Sequence, residues 1–303
     1  MSVKEETRLS RILINQQEHY STWPDDKTGR ESPARAAHTS DVTAAFRSEG
    51  CLMARAAFSA AEVAALEHEI SGAAGEYHPE ATVVEEGRQS VRSMYGGHAS
   101  SPLIHRLICD ERLMAPAMEL LGDEVYLYQF KINTKAPLVG DRWPWHQDYA
   151  FWAHLDGMPS PDAVTVAVYL DEVNEFNGPL FYIPGGHRAG LHRCEPATCA
   201  GMALGGSDVS ANLRFTLSAD VVGALVADHG LRSAHGPSGS AFFFHANLPH
   251  ASGLNLSPYS RRQIFITYNA VGNALSRSPK RAEFLVARSN EPLRAISGSL
   301  LAA

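Results

Sequence analysis

The chain has 303 residues, 45% hydrophobic and 19% charged, close to the average of globular proteins, so a full apolar core is within reach. Its formal charge of −7 argues against nucleic acid or an anionic membrane surface as a partner. No run of about twenty apolar residues is present to span a bilayer, and the start, Met1-Ser-Val-Lys-Glu-Glu-Thr-Arg8, lacks the apolar stretch of a signal peptide. A cytoplasmic protein, monomer or homodimer, is expected. The four cysteines, Cys51, Cys109, Cys194 and Cys199, form no paired framework. Cys194 and Cys199 could ligate a metal, but no second pair lies nearby, and free thiols in a reducing compartment are the simpler reading.

Residues 1 to about 40 are polar and read as an arm, mobile or packed as cover, ahead of a single domain over 41–303. Phe58-Ser-Ala-Ala-Glu62 has the spacing of a capping box, with Phe58 and Val63 placed as a hydrophobic staple. Val63, Leu66 and Ile70 then share one helix face. Asp110 to Leu121 reads as a second helix, stopped by Gly122. From Val125 the texture changes to strands. Val164 to Leu170 alternates, Asn177-Gly178 turns, and Leu180 to Ile183 returns, the pattern of a hairpin. Between about 190 and 240 lies an insertion rich in Gly, Ala and Ser, with one helical piece from Ala219 to Asp228. Loops this long inside a compact domain are lids or disordered segments, and a lid is the expectation here. Ala241 to Phe244 and Ile264 to Tyr268 read as buried strands. Helices first and strands later imply an α+β chain on a double-sheet jelly roll, a double-stranded β-helix of the cupin kind with flanking helices.

The segment Trp143-Pro-Trp-His-Gln-Asp-Tyr-Ala-Phe-Trp152 sets His146 and Asp148 two positions apart. On an extended strand such residues point the same way. One nitrogen and one oxygen ligand make two thirds of the 2-His-1-carboxylate triad, which holds ferrous iron and leaves positions open. The spacing alone is weak, because so short a pattern recurs by chance. It does recur, at His154-Leu-Asp156, which runs into Gly157-Met-Pro159 and reads as a turn or cap. The third ligand must come from far along the chain. His250, just past the strand Ala241–Phe244, is the best candidate, and His245 on the strand end is its rival. Eleven positions past His250, Arg261 opens the next strand and could grip a carboxylate with two parallel hydrogen bonds. The plain alternative for Arg261 and Arg262 is a solvated basic pair.

His-x-Asp, about a hundred residues, His, then Arg resembles the non-haem iron, 2-oxoglutarate-dependent dioxygenases. The wording of Val125-Tyr-Leu-Tyr-Gln-Phe-Lys-Ile-Asn133, Trp145-His-Gln-Asp148, Asp156-Gly-Met-Pro159, Ile183-Pro-Gly-Gly-His187, His250-Ala-Ser-Gly253 and Glu283-Phe284 is similar to the phytanoyl-CoA dioxygenase family, ectoine hydroxylase branch. The likeness runs from about Thr43 to Arg288. It implies Fe(II), 2-oxoglutarate and O2 as the reagents, with His146, Asp148 and His250 as iron ligands and catalytic centre. It implies Arg261 on the distal carboxylate of 2-oxoglutarate, with Lys131, Asn133 and Ser252 nearby. Gln129, Trp152, Thr165 and Phe244 match positions that line the small-molecule pocket. With Asp148 present, hydroxylation rather than halogenation is implied.

The departures bear on the substrate. Where ectoine hydroxylases read Trp-His-Ser-Asp-Phe-Glu-Thr-Trp, this chain has Gln147, Ala150 and Phe151 for the Ser, Glu and Thr, and Thr165 for a further pocket Ser. The iron ligands are untouched and the wall expected to face the substrate is altered. Asp162 and Gln129 could pair with an amine, and Phe151 with Trp152 could enclose an aliphatic body or face a cation. The expected activity is hydroxylation of an unactivated carbon of a free amino acid or cyclic amino-acid-like molecule, in specialised metabolism. The competing readings are ectoine 5-hydroxylase proper, an oxygenase of a larger natural product or acyl thioester, and a vestigial jelly-roll binding protein.

Overall fold

The computed structural model describes residues 39–73, 81–85, 90–99, 101–192, 195–196 and 213–302. The arm expected over 1–40, except its last two residues, and the pair Cys194 and Cys199 lie outside them. The N-terminal part holds α1 (Thr39–Glu49), β1 (Cys51–Ala54), α2 (Ala60–Ala73), β2 (Thr82–Val84), β3 (Val91–Tyr95), α3 (Pro102–Ile108) and α4 (Glu111–Leu121). Next come β4 (Val125–Lys135), β5 (Trp143–His146), the single turn α5 (Asp148–Phe151), β6 (Ala163–Tyr169) and β7 (Leu180–Tyr182). The remainder holds β8 (Glu195–Pro196), β9 (Phe215–Thr216), α6 (Ala219–His229), β10 (Arg232–Ala234), β11 (Ala241–His245), β12 (His250–Ser252) and β13 (Arg261–Ala270).

Two antiparallel sheets form the frame. The larger has seven strands in the order β1-β11-β6-β13-β4-β3-β2, and the smaller has four, β10-β7-β12-β5. Side chains alternate across a strand, so the large sheet has two distinct faces. Phe130 and Ile132, Val164, Val166 and Val168, and Ile264 and Ile266 pack against helix residues Leu66, Ile70, Leu107, Leu113 and Leu120. Their neighbours of opposite parity, Ala167, Tyr169, Phe242, Phe244 and Phe265, meet Leu180 and Tyr182 of the small sheet. The functional side chains emerge in this second space, between the sheets.

The helix signals act as their chemistry requires. Glu62 accepts the Ser59 backbone N–H at 2.9 Å, and the Ser59 hydroxyl accepts the Glu62 N–H at 3.3 Å, closing the capping box. Asp110 caps α4 by accepting Arg112 N–H, and Gly122 ends it in the left-handed region at φ 70°. The expected hairpin does not form. β6 lies between β11 and β13 in the large sheet, whereas β7 lies between β10 and β12 in the small one. The turn at Asn177-Gly178 therefore passes the chain between sheets. β6 is buried on both faces, which removes the polar face a half-exposed hairpin strand would show. The insertion has structure of its own: β8 pairs with β9, α6 follows, and β10 becomes an edge of the small sheet. Among the described residues no helix is long and apolar enough to cross a membrane.

Candidate metal centre and active site

His146 ends β5, Asp148 begins α5, and His250 begins β12, which pairs with β5 so that His250 stands opposite His146. One ligand atom from each of the three lies within 4.8 Å of the others, the one such group of acids, cysteines and histidines among the described residues. All three are buried. Asp148 is not on the strand, as the spacing suggested, but on the first turn after it. Extended Gln147 carries the chain across, so the carboxylate still faces the imidazole, His146 Nε2 to Asp148 Oδ1 being 3.6 Å.

The tautomers are set from behind. His146 Nδ1 is 2.7 Å from Pro144 O, and His250 Nδ1 is 2.9 Å from Leu248 O. A carbonyl only accepts, so each Nδ1 carries its proton and each Nε2 presents a lone pair to the centre. Burial, then the neighbouring His146, pushes His250 down to about 3, leaving it a neutral imidazole at pH 7. Burial alone would raise the Asp148 carboxyl, but the neighbouring Lys131 cation outweighs it and the carboxyl is held well below the usual range. Two imidazole nitrogens and one carboxylate are the donor set that suits iron(II). His245, the rival ligand, sits apart. Its ring stacks near Phe46 and His187, and its Nδ1 accepts the Asn247 N–H.

A cavity of about 100 Å³ opens beside these residues. Arg261 lines it, only 2% exposed, with Nε and Nη2 donating to Gly178 O at 3.1 and 2.7 Å. Burial lowers its guanidinium to about 10, so it stays charged at neutral pH. Burial and the charges of Arg261 and Arg92 lower the amine of Lys135, opposite Arg261 on β4, to about 6. Arg262, one residue on, points away and pairs with Asp171 and Glu67. Lys131, Asn133 and Ser252 all line the cavity. The buried Ser252 hydroxyl has no hydrogen-bond partner among the described residues, a polar atom left for a ligand. Asn133 accepts from Ser93 Oγ at 2.7 Å, which fixes its amide.

Gln129, Phe151, Trp152 and Phe244 also line the cavity. Two residues expected at the substrate do not line the cavity. Asp162 is exposed and outside the cavity, its carboxylate accepting from Ser160 Oγ. Thr165 is fully buried, its hydroxyl 3.0 Å from Thr267 Oγ1, and does not line the cavity either. Of the three departures in the iron-binding segment only Phe151 faces inward. Gln147 is fully buried elsewhere, with Nε2 donating to Gly190 O and Asn247 O and Oε1 accepting His192 N–H. It joins the start of the insertion to the turn before His250. Sequence reasoning missed Arg281, a cavity residue whose partner is Asp156 of the second His-x-Asp match. That match had signalled a turn, and Gly157 does turn, at φ 79°. It also missed Leu213 and Phe215 of the insertion. Leu213 lines the cavity, and the Phe215 ring packs edge-on against Phe151 at 5.1 Å.

Residues 46–263 match the family model for phytanoyl-CoA dioxygenase, and the chain belongs to that family of dioxygenases. The L-proline trans-4-hydroxylase of Streptomyces griseoviridis is 39% identical over 256 residues, covering 84% of this chain and 94% of that protein. The ectoine dioxygenase of Sphingopyxis alaskensis is 34% identical over 269 residues, covering 85% and 86%. Among solved structures, EctD from S. alaskensis with 2-oxoglutarate and 5-hydroxyectoine gives a TM-score of 0.74 at 30% identity, covering 95% of this chain and 98% of that one. The same protein with bound Fe gives 0.72 at 32%, covering 86% and 88%.

Proposed function

We propose that the protein is an Fe(II)- and 2-oxoglutarate-dependent hydroxylase of a small cyclic amino acid, with L-proline and its near analogues as the substrate class. The observation that carries the reading is the buried His146–Asp148–His250 set beside a small cavity also lined by two buried arginines, Arg261 and Arg281. Extensive likeness to an L-proline hydroxylase supports the substrate class. The cavity, far below the roughly 300–1,000 Å³ of drug-sized sites, suits a small metabolite better than an acyl thioester.

His146, Asp148 and His250 would hold the iron, through two imidazole nitrogens and a carboxylate oxygen. Bound iron supplies the oxygen chemistry that couples decarboxylation of 2-oxoglutarate to hydroxylation of an unactivated carbon. The chain's own residues bind, orient and exclude water. Arg261 takes the distal carboxylate of 2-oxoglutarate, and Ser252, Asn133 and Lys131 complete that end. Gln129, Trp152, Phe151 and Phe244 enclose the substrate body, and Arg281 meets its carboxylate. Residues 41–303 act as one catalytic unit, with part of the 190–240 insertion as its cover. The partners are small molecules, and the charge and the buried free thiols Cys51 and Cys109 suit a cytoplasmic monomer or homodimer.

The test is metal content and turnover of single variants. His146→Ala and His250→Ala should lose bound iron and all succinate formation while still melting cooperatively. His245→Ala should keep its iron. Loss of iron on changing His245, with iron retained on changing His250, contradicts the assignment.

A further inference from the structure

The second His-x-Asp match has no part in the iron set, yet Asp156 is fully buried. A buried carboxylate is costly unless it is paired and hydrogen-bonded. Asp156 is both. Arg281 Nε donates to Oδ1 at 2.8 Å and Arg281 Nη2 donates to Oδ2, a two-pronged pair. The Tyr128 hydroxyl donates to the same Oδ2. Tyr128 comes from β4, Asp156 from the turn after α5, and Arg281 from the C-terminal segment. That segment is pinned at further points, Gln129 Nε2 donating to Leu285 O at 2.7 Å and Ala287 N–H to Tyr128 O at 2.9 Å, and is braced within itself by Arg288 Nη2 to Arg281 O at 2.5 Å. The Tyr128 ring also meets the Trp152 indole at 5.1 Å. Of the three network residues, Arg281 alone lines the cavity. Asp156 occupies the Nε–Nη2 edge of the guanidinium, and Nη1 takes no part in that pair.

We propose that Asp156 and Tyr128 are positioning residues that hold Arg281 with its Nη1 edge toward the substrate, making it a geometric reader of the substrate carboxylate. This rests on the amino-acid reading above. The paired charges nearly cancel, so recognition by Arg281 depends on where its N–H groups point more than on its field. The two causes make opposite forecasts. Removing the Asp156 charge leaves Arg281 more electropositive and tightens a carboxylate if field dominates. It frees the guanidinium to turn and weakens binding if position dominates.

The experiment measures KM for L-proline and for 2-oxoglutarate, with L-prolinamide as the carboxylate-masked probe, in wild type, Asp156→Asn and Tyr128→Phe. The wild type should prefer L-proline to L-prolinamide by about 100-fold or more, as a site built to pair a polar group rejects its absence. Asp156→Asn should raise KM for L-proline about ten-fold or more, narrow that preference, and leave KM for 2-oxoglutarate unchanged. Tyr128→Phe keeps both charges, so it should fold even if Asp156→Asn does not, and should raise KM for L-proline several-fold. A KM for L-proline unchanged or lowered in the folded variants overturns the positioning role. A wild type that turns over no amino acid overturns the substrate reading, and the proposal with it.

Discussion

Arg261 and Arg262 are chemically identical neighbours whose surroundings give them opposite work. Strand alternation turns Arg261 into the space between the sheets, where it is buried against Gly178 O, and turns Arg262 out to Asp171 and Glu67. Arg261→Ala should raise the 2-oxoglutarate requirement steeply. Loss of a buried charged hydrogen-bond pair costs on the order of 2–4 kcal/mol, roughly 30- to 1,000-fold. Arg262→Ala removes partly exposed ion pairs, worth about 0–1 kcal/mol of stability, and should leave that requirement nearly unchanged. Steady-state titration of 2-oxoglutarate in both variants checks this, and equal effects would mean the strand faces are misassigned. The alternation was legible in the chain because Arg261 precedes a strongly apolar run. The role of Asp156 was not, because its partner Arg281 lies 125 positions away and no local pattern announces the pair. Gln147 misled for a related reason: its place beside two candidate ligands suggested a wall residue, yet its amide is fully used by backbone groups.

At the level of elements, the crossing from β6 to β7 positions more chemistry than its turn signal suggested. Gly178 ends that turn at φ 77°, a conformation other residues rarely adopt, and its carbonyl is the one that Arg261 grips. A Cβ there would stand 2.6 Å from Lys135 Cδ and 2.7 Å from Gly253 O. Gly178→Ala should therefore displace the carbonyl and cost about 1–3 kcal/mol of stability through backbone strain and crowding. It should raise KM for 2-oxoglutarate while leaving iron content intact. Unchanged 2-oxoglutarate kinetics in a destabilised variant would show that Arg261 holds its place without this turn. Asn-Gly marked a turn from sequence alone, because the turn chemistry is local. Which strand follows it in which sheet is decided by burial: β6 is apolar on both faces and fits only the centre of the large sheet. The helix ends were legible for the same local reason, each resting on a cap within a few residues, Ser59 with Glu62 and Asp110 before Gly122.

Across the whole molecule, the site exists because two sheets face each other and each contributes part of it. The small sheet and the turn after β5 bring His146, Asp148 and His250. The large sheet brings Gln129, Lys131, Asn133, Phe244 and Arg261. The His146–Asp148–His250 cluster was legible because two of its members are near neighbours and the motif order fits a known pattern. The cavity wall was read only in part, since Arg281 and Leu213 arrive from segments outside the strands. Phe151 makes that wall more apolar than a threonine would, which disfavours a substrate needing a hydroxyl partner there. The most direct test of the central claim is the amount of succinate and hydroxylated product formed by the iron-loaded protein with 2-oxoglutarate and O2. L-proline, close cyclic analogues and ectoine are offered in parallel. The account predicts one hydroxylated amino acid per succinate with L-proline or a near analogue, and little or no product from ectoine. Efficient hydroxylation of ectoine, or no substrate-dependent succinate with any amino acid, would contradict it.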